Sequence, residues 1–89
     1  MNQHHTLKLV QPYFDAVKRG DKLFEVRRND RFFQCGDTVT LRCWHARSCT
    51  FETKEPNLTF KIGPVLQGGR FGIEPGYCVF SLLPVDYQP

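Results

Sequence analysis

Residues 6–10, TLKLV, alternate polar and apolar as a half-buried strand does, with Leu7 and Leu9 on one face and Thr6 and Lys8 on the other. His4 and His5 read as polar residues beside that strand. Gln11-Pro12 follows, and proline suits the first helical position because its missing N–H would be unpaired there anyway. Tyr13, Phe14 and Val17 then fall at helical spacing. Lys18 and Arg19 stand where positive charge favours the helix dipole, and Gly20 where a left-handed cap belongs. The pattern predicts a short helix over 12–19.

Period-two alternation returns at 22–28, KLFEVRR, with Phe24 and Val26 on one face and Leu23, Glu25 and Arg27 on the other. Asn29-Asp30 and Gly36-Asp37 read as turns. Residues 38–44, TVTLRCW, form a further alternating strand with Val39, Leu41 and Cys43 on one face. Residues 45–57 are polar and suit a hairpin tip, with 50–53 returning. A strand over 58–66 is interrupted near Gly63-Pro64, since proline cannot donate in a central ladder. Residues 68–76 form a glycine-rich loop, and 77–83, YCVFSLL, a final buried strand. One or two short helices and about five to six strands predict a small β-rich α+β domain, in which a strongly bent sheet or a small β-barrel encloses the core and protects strand edges.

A chain of 89 residues is a single domain, 1–89, with one small core. That excludes a doubly wound dinucleotide-binding fold and a TIM barrel. Eight Phe, three Tyr and one Trp in a chain 40% hydrophobic argue against disorder. No apolar run approaches the roughly 18 residues that cross a bilayer, and the N-terminus lacks a signal-peptide stretch, so a soluble, cytoplasmic domain without a membrane partner is expected. The oligomeric state stays open, with a monomer favoured. The formal net charge of +3 is unevenly spread: seven of the twelve basic residues lie between Lys8 and Arg31, against four acids. Such a stripe suits phosphate groups, although a scattered basic surface also serves solubility.

Cys35, Cys43, Cys49 and Cys78 contain no CxxC pair. Cys43, His45 and Cys49 offer three zinc-type ligand atoms within seven residues, short of the four that structural zinc takes. Cys43 and Cys78 read more simply as small core residues. No metal and no cofactor is expected.

The segment GDKLFEVR, 20–27, carries the most chemistry. Glu25 and Arg27 project from one strand face two residues apart, with Lys22 at the strand's start. Lining a cleft, the three recognise a nucleobase or phosphate: Arg27 as planar multi-donor, Glu25 as acceptor from an exocyclic amine, Lys22 as point charge. The plain alternative is a solvated strand face with an ordinary salt bridge, worth at most about 1 kcal/mol.

This segment matches the GxKxxExR pattern of ASCH domains at all four specified positions. HTLKLV leading into QPYFDAVKRG resembles the first strand and helix of that family. RRNDRFFQCGDTVTLR is similar to its following turn and the GD-containing approach to the next strand, and GIEPGYCVFSLL to its closing strand. The likeness covers nearly the whole chain except 45–57, and is greatest to the short bacterial and phage branch, whose members have no assigned function. ASCH domains belong to the PUA-like superfamily of small β-barrels. The resemblance implies a cleft between helix and barrel, suited to RNA or a modified nucleoside and lined by Lys22, Glu25 and Arg27, with Gly20 structural. Arg28, Arg31 and Tyr77 join the candidate binding residues from charge and chemistry alone; Tyr77 offers a ring for base stacking or serves as a strand-end core aromatic. Trp44 reads either way.

Three functions follow. The first is RNA or nucleoside binding without catalysis, with Lys18, Arg19, Lys22, Arg28 and Arg31 on phosphates. The second is hydrolysis of an acylated nucleoside, since some ASCH-type proteins are similar to acetylcytidine amidohydrolases. Lys22 matches their lysine while Glu25 stands where they carry a threonine, so Lys22 and Glu25 would have to activate a water. Ribonuclease chemistry finds only His45 as a lone candidate. The third is a protein-binding regulator, with Phe32 or Phe33 at the surface; adjacent strand residues face opposite sides, so at least one of the two is expected in the core.

Overall fold

The computed structural model describes residues 2–88 and contains one short helix and one six-stranded mixed sheet. In chain order the elements are β1 (His4–Leu9), α1 (Tyr13–Lys18), β2 (Phe24–Arg28), β3 (Thr38–His45), β4 (Thr50–Phe51), β5 (Leu58–Gln67) and β6 (Tyr77–Leu83). The sheet order is β1-β3-β5-β6-β2, with β4 paired to the far end of β3. Only β1 and β3 run parallel; every other pairing is antiparallel. The domain is mostly β, as the alternation predicts.

The inward rows make the core. Leu7 and Leu9 of β1, Val39, Leu41 and Cys43 of β3, Ile62 of β5, and Cys78, Phe80 and Leu82 of β6 are buried. Phe14 and Val17 of α1 and Phe33 from the β2–β3 loop complete it, while Phe32 is exposed. Burying such side chains at about 1.5–3 kcal/mol each is the main force curling the sheet around them. The interruption expected near Gly63-Pro64 is a bulge in β5 between Ile62 and Val65.

The expected closed barrel is not formed. β1 and β2 are the two ends of the sheet order and share no ladder. Two arginine side chains bridge the gap instead: Arg27 Nη2 donates to the Lys8 carbonyl and Arg31 Nη1 to the Thr6 carbonyl, each at 2.9 Å. Both carbonyls lie on the free edge of β1, so the guanidinium groups cover edge acceptors that would otherwise invite another strand.

The direction of the β2 rows, open in the sequence, is set by the fold, and one other expectation changes. β2 shows its apolar row, Phe24 and Val26, to the outside and turns Glu25 inward. His5 is not a polar residue beside the first strand: it lies within β1, buried, with Nε2 2.8 Å from Asp37 Oδ2 and its ring edge-on to Phe33. Asp37 also accepts from the backbone N–H groups of Gln3 and Gln34. Burial alone would raise its carboxyl, but these three hydrogen bonds outweigh that and hold it below its usual value of 3.8. The pair fastens the start of β1 to the turn that launches β3.

Candidate functional site

Helix α1 ends in a Schellman turn that aims the next residues at the site. Gly20 adopts φ +84°, its N–H donates to Val17 O, and the Asp21 N–H reaches back to Ala16 O. The Lys22 N–H donates to the same Ala16 carbonyl, so Lys22 leaves the helix in a fixed place. Two residues on, β2 begins, and its pairing with β6 sets Glu25 opposite Phe80 and Arg27 opposite Cys78, both on the inward row.

Glu25 is only 1% exposed and is held by the two cations. Lys22 Nζ donates to Glu25 Oε1 at 2.5 Å and to Phe24 O at 2.7 Å. Arg27 Nε donates to Glu25 Oε2 at 2.8 Å, and its Nη2 lies at the same distance from that oxygen. A carboxylate this buried is tolerated because it is paired and hydrogen-bonded on both oxygens. Lys22 keeps one N–H, and Arg27 its Nη1 pair, beyond the bonds just described.

These side chains lie along a cleft of about 620 Å³ between β2, the end of β1 and the helix. Leu9, Val10, Tyr13, Phe24 and Val26 form apolar walls, and Lys8, Asp21, Lys22, Glu25 and Arg27 add the charge. The sequence-based choice of Lys22, Glu25 and Arg27 is therefore brought together in one hollow. Arg31 stands next to it, bound to Thr6. Arg28 and Tyr77 do not join them: they pair at the far end of the β2–β6 ladder, with the Arg28 guanidinium 5.3 Å from the Tyr77 ring centre.

Tyr13, Phe24, Val26 and Lys8 are cleft residues that motif reasoning missed. The signal for two of them was their place within the motif: Phe24 and Val26 alternate with Glu25 and Arg27, and on a strand at the end of the sheet both rows border the same gap. The Cys43, His45, Cys49 trio is dispersed. Cys43 is buried and Cys49 exposed, while His45 Nε2 lies 2.9 Å from Glu52 Oε1. Among the described residues no group of three or more His, Cys, Asp or Glu side chains could hold a metal ion. Trp44 is half-buried, edge-on to Phe51 with Lys8 Nζ 3.9 Å above its ring. No helix among the described residues is long and apolar enough to cross a membrane.

The family described as Domain of unknown function (DUF3850) matches residues 4–82. The chain belongs to this family. The DUF3850 match begins at the first residue of β1 and ends one residue short of the end of β6, so it takes in every element that builds the cleft. This DUF3850 chain is also similar to an uncharacterised 12.9 kDa protein in the GpA 3′ region of Escherichia phage P2, 43% identical over 44 residues. That stretch is 49% of this chain and 40% of the phage protein, so the chain matches well under half of that relative's length.

Proposed function

We propose that this chain binds RNA or a modified nucleoside, as an ASCH-type domain of the PUA-like superfamily, with a base seated in the cleft between β1 and β2. The observation that carries this reading is the convergence of Lys22, Glu25 and Arg27 on one hollow with apolar walls. Its volume falls within the roughly 300–1,000 Å³ common for small-molecule sites. A planar base gains contact area against Tyr13 and Phe24, and its carbonyl oxygens accept the donors that Lys22 and Arg27 retain. Glu25 is then a positioning residue, since both its oxygens already accept from protein cations. It fixes the two donors rather than reading an exocyclic amine.

Binding is better supported than hydrolysis. Both Glu25 oxygens already accept from Lys22 and Arg27, so the carboxylate is not free to take a proton from water. One observation favours the regulator instead: Phe32 is 77% exposed at the tip of the β2–β3 loop. Titration of the standard nucleosides, acetylcytidine and a mixed single-stranded RNA pool, read by backbone amide shifts, separates these readings. The expected result is perturbation at Tyr13, Lys22, Glu25 and Arg27. Phe24→Ser, at a half-exposed site, is expected to weaken binding about tenfold, near the lower end of a stacking contact. Silence at these amides with every ligand at low salt overturns the proposal.

A further inference from the structure

A second, smaller cleft of about 290 Å³ adjoins the first and shares Lys8 and Arg27 with it. Its remaining lining is Thr6, Leu7, Arg31 and Phe51, so three cations and no acid surround it. The acid nearest to Arg31 in the structure is Asp30, whose Oδ1 stands 3.9 Å from Nε in a pair exposed on both sides and worth little. Beyond the cleft, the outward rows of β1 and β3 are His4, Thr6 and Lys8 beside Thr38, Thr40 and Arg42, again without a carboxylate. Glu25 balances Arg27, but among the described residues Lys8 is in no ion pair and Arg31 has only the loose one with Asp30, so the cleft keeps a surplus of positive charge.

The cations are also oriented. Arg27 and Arg31 each spend a donor on a β1 carbonyl, which fixes the guanidinium planes and leaves further N–H groups for a ligand. Lys8 is held over the Trp44 ring. Two planar forks and an ammonium around one small hollow match the oxygens of a phosphate. Arg27 borders both clefts, so a group bound in the second is within reach of a base bound in the first.

We infer that the second cleft is a phosphate subsite, so that the ligand is a nucleotide: a nucleoside carrying a phosphate monoester, or a diester within a strand. This rests on the reading of the first cleft as a base site. The test is calorimetric titration of each nucleoside, its 5′- and 3′-monophosphates, and a five-nucleotide RNA against the whole chain. At least one monophosphate, or the strand, is expected to bind about tenfold or more tightly than the nucleoside, the scale of a hydrogen bond to a charged group. A gain already present in the monophosphate identifies a free nucleotide; a gain seen only with the strand identifies RNA. Arg31→Gln removes a cation that lines the second cleft and not the first, so it is expected to abolish that gain while leaving nucleoside affinity unchanged. With the strand, it is also expected to lower the log–log salt slope by about 0.7. Equal affinity for nucleoside, monophosphates and strand overturns the subsite and leaves the base cleft standing. Absence of binding by all of them at low salt overturns both.

Discussion

Replacing Glu25 by glutamine tests whether a buried carboxylate organises the cleft. Glutamine keeps the size and one acceptor oxygen but presents an NH₂ group to one of two cations. The side chains of Lys22 and Arg27 are 18% and 22% exposed, against 1% for Glu25. Removing one partner of a fully buried ion pair costs about 3–5 kcal/mol, because an uncompensated charge remains. Here both cations can lean toward water, and glutamine still accepts from one of them, so about 2–3 kcal/mol is expected. For a chain of this length that corresponds to a fall in Tm of about 10–20 °C. Urea unfolding followed by the fluorescence of Trp44, the single tryptophan, measures it directly. Asp21→Asn is the control, since its exposed pair with Arg19 is expected to matter by less than about 0.5 kcal/mol. A Glu25→Gln loss no larger than that of the control refutes the idea that Glu25 holds the site together.

Three further outcomes follow from other parts of the fold. Asp37 titrates below its usual value of 3.8 when folded, so its contribution to stability is complete above about pH 4 and is lost as pH falls through the depressed folded value; a stability profile of Asp37→Asn that parallels wild type between pH 2 and 5 contradicts this. At Gly68 a methyl group would meet Glu74 O at 2.1 Å and Tyr77 O at 2.7 Å, both backbone atoms. Gly68→Ala is therefore expected to cost about 1–3 kcal/mol and to speed amide exchange at Gly69 and Tyr77, whereas unchanged exchange there removes the steric argument. Burial covers the Cys43 and Cys78 thiols and pushes both up, so a thiol reagent should modify only Cys35 and Cys49 before unfolding. Prompt reaction of all four would show that the core is looser than described.

Much of the fold is legible in the alternation of residue types. The strand at 77–83 coincides with β6, the helix over 12–19 contains α1, and Gly20 takes the left-handed conformation its position suggests. What alternation conveys is parity, not direction. In FEVRR it separates Phe24 and Val26 from Glu25 and Arg27, but only the partners across the sheet decide which row turns inward. Parity does not decide membership of the cleft either: Phe24 and Val26 share the parity of Arg28 and line it, whereas Arg28 lies at the end of the ladder beside Tyr77. His5 and Asp37 are 32 residues apart, and no local pattern announces their contact. The missing closure is equally nonlocal: whether β1 and β2 pair depends on the curl of three intervening strands, and side chains from β2 and the following loop bridge what backbone does not.

On the proposed binding reading, the arginine-bridged gap between β1 and β2 makes ligand recognition and mechanical cohesion properties of the same atoms. N–H groups of Thr6 and Lys8 point the same way as their bridged carbonyls and have no ladder partner, so this line lacks the backbone pairing that resists local opening. Whatever enters beside Arg27 meets the sheet where side chains and not a ladder join its two ends, so engaging that guanidinium acts on the join itself. Affinity measured there is thus also a measure of how tightly the domain is drawn shut.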